Sequence, residues 1–230
     1  MKKIAAVLLI LVLATLACSK VSNLVPTSSN NPNQPPVDIQ PTAAQQSSLL
    51  FADDFSNTSS GWDKVQETNK VTDYDNGRYR MWLNDAQFDI WANPAQGFDG
   101  PVSVEVDASK SSGPDVNDFG IICDYQDAQN FYFGLVSSDG KAVIGKNETG
   151  TTTFLSASEM QPVSGVNIGN ASNHLRLDCI SGNLTLYANG NQVAFAQDAS
   201  FSSGDVGLQI GTFDEVGVEI FFDNFVVTKP

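Results

Sequence analysis

From Leu49 to the end of the chain, apolar and polar residues alternate one for one in run after run. Val102, Val104, Val106 and Ala108 alternate with Ser103, Glu105 and Asp107. Leu175, Leu177 and Cys179 alternate with Arg176 and Asp178, and Leu184 and Leu186 with Thr185 and Tyr187. Val206, Leu208 and Ile210 repeat the pattern around Gly207 and Gln209. Side chains of a strand switch face at each residue, so a period of two marks a sheet with one face buried and the other in water. Turn signals separate the runs: Asp75-Asn76-Gly77, Ser138-Asp139-Gly140, Ser181-Gly182-Asn183 and Asn189-Gly190-Asn191. Such residues tolerate the backbone of tight hairpin turns. Residues 49–230 therefore read as about a dozen short strands with no helix. Two antiparallel sheets packed face to face are the expected architecture. The 14 phenylalanines supply material for a sizeable core.

The first 48 residues follow other rules. Met1-Lys2-Lys3 is a short positive start, and Ile4–Leu16 is an uncharged, mostly aliphatic run of 13 residues. A bilayer core needs about 20 apolar residues, so this run fits the apolar region of a secretory signal rather than a membrane span. It ends Ala14-Thr15-Leu16-Ala17-Cys18. In these residues the chain resembles a bacterial lipoprotein precursor, with a small residue, Ala17, directly before the cysteine. Thr15 stands three residues before that cysteine, where the family usually has Leu. The resemblance implies cleavage after residue 17, acylation of Cys18 and anchoring in a lipid bilayer, with the rest of the chain in the cell envelope outside the cytoplasm. Each buried acyl CH₂ contributes about 0.8 kcal/mol, so several chains hold stably. From residue 19 to 48 the sequence carries five of the ten prolines, no aromatic residue, and mainly Ser, Asn, Gln and Thr. That composition cannot bury enough apolar surface to offset ordering entropy, which predicts a disordered tether over 18–48 and a folded domain over 49–230. The whole chain has 26 acidic and 12 basic residues, a formal net charge of −14. Nucleic-acid binding needs a basic face, so that class of partner is excluded.

Two cysteines remain besides Cys18. Cys179 shares parity with Leu175 and Leu177, and Cys123 with Phe119 and Ile121, so both point inward. An exported chain meets an oxidising compartment, where Cys123 and Cys179 can close a disulfide; two buried free thiols are the alternative.

Several stretches resemble the concanavalin A-like jelly-roll domains of bacterial lipoproteins, relatives of laminin G-like modules and of the 3-keto-disaccharide hydrolase domain. They are Phe51-Ala-Asp-Asp-Phe-Ser56 with Gly61-Trp62, Asn76-Gly-Arg-Tyr79, Asp118 to Asp127 running on to Asn130-Phe-Tyr-Phe133, Tyr187-Ala-Asn-Gly190 and Phe222-Asp-Asn-Phe225. The resemblance implies a jelly-roll sandwich whose first and last strands pair, Phe51–Phe55 beside Glu219–Val226. It implies glycan recognition as the commonest task of the fold, although fold does not fix function.

Catalytic motifs are thin. A retaining glycosidase needs two carboxyls about 5 Å apart. The family 16 glycoside hydrolases carry them on one strand, and the nearest run here, Glu105-Val-Asp107-Ala-Ser-Lys110, lacks the second glutamate. His174 is the only histidine, with no nucleophile elbow to serve. Calcium needs only oxygen ligands. Asp53 and Asp54 would approach Asp223 and Asn224 if the end strands pair, although neighbours on one strand face opposite ways. For a sugar, flat aromatic faces beside hydrogen-bonding groups are the requirement. Trp62, Trp82 and Trp91 are candidates, with Trp62 reading rather as packing for the first strand. Tyr132, alternating with Phe131 and Phe133, and Tyr187, alternating with Leu186, are expected to face outward. With Arg176, Asp178, Glu105 and Asp107 they would form a carbohydrate platform if their strands share a sheet. A non-catalytic binding module is the leading reading. A glycoside-active enzyme and an adhesive, protein-binding lipoprotein are the alternatives.

Overall fold

The computed structural model describes residues 48–230. The expected signal segment, Cys18 and the tether up to residue 47 lie outside the described residues. In chain order the strands are β1 (Leu49–Asp53), β2 (Val65–Gln66), β3 (Lys70–Asp75), β4 (Arg78–Leu83), β5 (Phe88–Ala92), β6 (Val102–Ser112), β7 (Asn117–Asp127) and β8 (Asn130–Val136). There follow β9 (Lys141–Glu148), β10 (Thr151–Phe154), β11 (Gln161–Pro162), β12 (Ser172–Ile180), β13 (Asn183–Ala188), β14 (Asn191–Gln197), β15 (Asp205–Thr212) and β16 (Val218–Thr228). No helix occurs among the described residues.

The strands form an all-β, two-sheet antiparallel jelly-roll sandwich. One sheet has nine strands in the order β14-β13-β12-β6-β16-β4-β3-β2, with β1 also on β16. The other has seven, β10-β9-β8-β7-β15-β5, with β11 on β9. β16 serves two neighbours on one side: Val218–Phe222 pairs with β4 and Phe225–Thr228 with β1. A bulge between Asp223 and Val226 on β16, with Asn224 at φ 53°, separates the two stretches. The end strands thus meet as the family resemblance implies, with Asp53 opposite Phe225. Hairpins close where the turn signals stand. Asn76-Gly77 and Asn189-Gly190 both have positive φ at both residues, the backbone that matches the twist of a two-residue hairpin.

The alternating residues do what their period requires. Val102, Val104, Val106, Leu175, Leu177, Leu184, Leu186, Val206, Leu208 and Ile210 are all buried between the sheets. Each contributes roughly 1.5–3 kcal/mol by leaving water. Trp62 packs the first strand: its ring lies 5.3 Å from Phe55, 5.1 Å from Tyr79 and 4.9 Å from Phe225. A disulfide joins Cys123 on β7 to Cys179 on β12, Cα atoms 6.7 Å apart, and so ties one sheet to the other.

One strand reverses the expected parity. Tyr132 on β8 points inward and is only 1% exposed, while Phe131 and Phe133 take the outer face. The period of two gives which residues share a face but not which face is inside. Both faces of β7 and β8 are covered, because Ile122, Phe131, Phe133, Leu135 and Val143 form a second apolar cluster outside the seven-stranded sheet. The buried Tyr132 hydroxyl is satisfied: it donates to Asp198 Oδ1 at 2.5 Å and accepts from the Phe201 N–H at 3.1 Å. Tyr132 is therefore a core residue, not part of an outer platform.

Candidate functional site

Glu105, Asp107, Arg176, Asp178 and Tyr187 share the outer face of the nine-stranded sheet, and Tyr132 and Trp91 lie elsewhere. The register places Glu105 opposite Arg176, Asp107 opposite His174, and Arg176 opposite Tyr187. Their strands β6, β12 and β13 are adjacent, so alternation alone puts these side chains on one surface. The Arg176 guanidinium lies 4.1 Å from the Tyr187 ring centre, and its Nε is 3.1 Å from Asp178 Oδ1. His174 bridges two carboxylates, with Nδ1 2.8 Å from Asp107 and Nε2 3.1 Å from Glu105. Burial alone would lower the His174 pKa, but those hydrogen bonds and charges outweigh it and raise it. Asn224 Nδ2 donates to the other oxygen of Asp107 at 2.9 Å. Glu105, His174, Arg176, Tyr187 and Gly190 leave a shallow cleft of about 100 Å³. The charges here are spent on one another, and the arginine covers a face of the tyrosine ring.

Asp53, Asp54 and Asn224 line one open cleft of about 480 Å³, which Asp223 does not line. Asp53 accepts from the Trp62 indole N–H at 2.9 Å, from the Phe55 N–H at 2.8 Å and from the Ser60 hydroxyl. Asp54 accepts from the Ser56 N–H at 3.0 Å, and Asp223 from the Asn224 N–H at 2.8 Å. These carboxylates close local turns and hold Trp62. No group of three or more His, Cys, Asp or Glu in metal-holding geometry occurs among the described residues.

The outer face of the seven-stranded sheet is different in kind. Trp91 on β5 and Tyr125 on β7 are half-buried, each with its ring 5.5 Å from that of Phe131. Trp91 also lines a cleft of about 200 Å³ with Val65, Lys70, Thr72, Phe88, Asp89 and Ile90, at the margin where β5 faces β2 and β3. Next to it on the same face stand Gln209 and Gly211 of β15, and Asp118 of β7. Asp118 is 8% exposed and Gln209 4%, and Asp118 Oδ1 and Gln209 Oε1 have no hydrogen-bond partner. Burial pushes the Asp89 carboxyl up to about 6, and burial followed by the charge of Asp89 drives Asp118 well above the ordinary carboxylate range.

Of the sequence candidates, Trp91 belongs to this second site, Trp62 to the core and Trp82 to the half-buried outer face of β4. Asp89, Asp118, Tyr125 and Gln209 escaped sequence reasoning. Asp118 and Asp89 come from strands separated by β15, and nothing in the chain's order brings them together. The one local signal is Gly207-Leu-Gln-Ile-Gly211, a strand with glycine on the face where large residues were free to stand.

The chain matches no known family model and none of the curated proteins. Solved structures resemble it in fold. One is the carbohydrate-binding module CBM66 from Bacillus subtilis, with TM-score 0.58 and 19% identity over 74% of this chain and 96% of that one. Another is a Bacillus subtilis protein of unknown function with a galectin-like fold, with TM-score 0.59 and 10% identity over 78% and 95%. A third is the GH43 protein BlXynB from Bacillus licheniformis, with TM-score 0.55 and 17% identity, matching 77% of this chain but only 39% of that one. At such identities the likeness shows the jelly-roll fold alone.

Proposed function

We propose that the chain is a non-catalytic glycan-binding module, held outside the cytoplasm by an acylated Cys18 and a tether over 18–48. The carrying observation is the half-exposed Trp91 indole, set in a cleft with Asp89 and Lys70. A pyranose ring presents a flat C–H face and a rim of hydroxyl donors. The indole suits the first, and the polar groups of Asp89 and Lys70 in the same cleft suit the second. One structural neighbour is a carbohydrate-binding module, which supports the same reading.

The enzyme reading fits the geometry less well. Asp89 Oδ1 and Asp118 Oδ1 both reach into the space a single methyl on Gly211 would fill, 2.2 and 2.5 Å from its centre. Glycosidases hold their carboxyls about 5 Å or more apart, because the glycosidic bond, and in inverting enzymes a water, must fit between them. The two oxygens are at most 4.7 Å apart, short of that spacing and well short of an inverting pair. A glycan array probed with the wild-type protein and with Trp91→Ala tests the proposal. Binding to a restricted set of glycans, weakened at least tenfold in the variant, is expected. Silence across the array, or binding indifferent to the substitution, overturns it.

A further inference from the structure

Asp89 on β5 and Asp118 on β7 flank the same residue, Gly211 of β15, which pairs with both. Their Oδ1 atoms converge over its Cα, and any β-carbon at 211 would collide with them. The missing side chain is what admits both oxygens. Asp118 Oδ1 is buried without a partner, and so is Gln209 Oε1, one pleat along β15 on the same face. No ion pair among the described residues includes Asp89 or Asp118. Converging acceptors with no donor repel one another, and leaving Asp118 Oδ1 and Gln209 Oε1 buried and unpaired costs free energy.

We propose that Asp89, Asp118 and the Gln209 amide oxygen bind a hard divalent cation, Ca²⁺, above Gly211. The donors are all oxygen, two of them formally anionic, which is the ligand chemistry Ca²⁺ takes. Mg²⁺ demands near-ideal octahedral geometry that two carboxylates and an amide on a sheet face do not impose. Asp89 lies on the solvent side, so the ion keeps water on its outer coordination positions. So few protein ligands predict weak binding, with a dissociation constant on the order of 10⁻⁴–10⁻³ M, as in extracellular calcium modules. The inference shares a face with the proposed glycan cleft but stands without it, since ion binding is measured with no sugar present. The rival occupant is a single proton shared by the two carboxyls.

The test uses EDTA-treated protein dialysed free of chelator. Ca²⁺ at about tenfold over the dissociation constant should raise the melting temperature by roughly 3 °C relative to NaCl of equal ionic strength. Tb³⁺ should luminesce on tryptophan excitation, because Trp91 stands two residues from Asp89 on the same face of β5, and Ca²⁺ should quench that signal by displacement. Asp89→Asn and Asp118→Asn should each weaken Ca²⁺ binding at least tenfold. Without metal, Asp118→Asn should melt no lower than wild type, which shows that it folds. Trp91→Phe should keep the Ca²⁺ shift while losing the Tb³⁺ emission. Absence of any melting shift up to about 10 mM Ca²⁺, above that expected range, assigns the pair to the shared proton and overturns the proposal. A shift that the double variant Asp89→Asn/Asp118→Asn retains overturns it equally. Glycan binding that persists in EDTA after a failed ion test would leave the functional reading standing, and ion binding beside a silent array would remove that reading alone.

Discussion

On the outer face of the nine-stranded sheet, His174 holds Asp107 and Glu105, Arg176 lies beside Asp178 and over Tyr187, and Asn224 takes the last oxygen of Asp107. On the outer face of the seven-stranded sheet, Asp118 and Gln209 are more deeply buried, and Asp118 Oδ1 and Gln209 Oε1 have no hydrogen-bond partner. The first surface sets opposite charges against one another, although Arg176 Nε and Asp178 Oδ1 meet as an ion pair without a hydrogen bond. Such exposed pairs contribute little, about 0–1 kcal/mol each, and ask nothing of a ligand. The second surface keeps buried acceptors unpaired, a cost the fold tolerates where something from outside completes them.

The comparison assumes that the two faces belong to one cooperative body, and the Cys123–Cys179 bridge between β7 and β12 is where to break it. The bridge closes a loop of 56 residues, and its removal should cost about 4 kcal/mol by freeing the unfolded chain. Urea unfolding of Cys123→Ala/Cys179→Ala should show one transition at a lower midpoint. Two separate transitions would mean that the sheets unfold independently, and the contrast between their faces would then concern two bodies.

Much of this was legible in the sequence, for a physical reason. Alternation reports the pleat directly, so Val104, Val106, Leu175 and Leu177 declared their strands and their burial, and with them the outward Glu105, Asp107, Arg176 and Asp178. The inward parity of Cys123 and Cys179 foretold a bridge that the fold makes. Tyr132 failed because β8 is apolar on both faces, and period two then loses its polarity. The residue that decided was remote: Asp198, 66 positions away, receives the hydroxyl. Asp89 and Asp118 were illegible for a similar reason. Their meeting depends on the strand order β7-β15-β5, a tertiary fact that no local pattern encodes.

A sharper division of the faces comes from exchanging their aromatics. If the seven-stranded face is the ligand face, Trp91→Ala should lower glycan affinity about 10- to 100-fold, the loss of one stacked ring. Tyr187→Ala, which uncovers Arg176 on the other face, should change affinity less than about twofold. Isothermal titration with the best array ligand reads both. The reverse ranking would move the binding site to the nine-stranded sheet, where sequence reasoning first placed it.

The smallest effect separates the faces by pH. Burial raises Asp124 on β7 to about 6, and burial, against several backbone hydrogen bonds, raises Asp205 on β15 to about 6. A carboxyl with a raised folded pKa holds its proton after the unfolded chain, at 3.8, has released it. Stability therefore falls as pH rises from about 4 to 6 and is flat above, by on the order of 1 kcal/mol per group after solvent screening. His174 belongs to the other sheet, and its folded pKa is also raised, above 6.5. Its contribution is complete below 6.5 and disappears as pH climbs through the folded value, so its window opens where the carboxylate window closes. Melting temperatures from pH 4 to 9 should show two successive declines. Asp124→Asn should flatten part of the first without touching the second; asparagine accepts the left-handed backbone that Asp124 adopts at φ 50°. His174→Gln should reduce the second and leave the first, the remainder of the second belonging to Asp118, whose carboxyl burial holds well above the ordinary range. A single decline removed by either substitution would mean that the two surfaces titrate together, and that the pairing around His174 is coupled to the opposite sheet through the core.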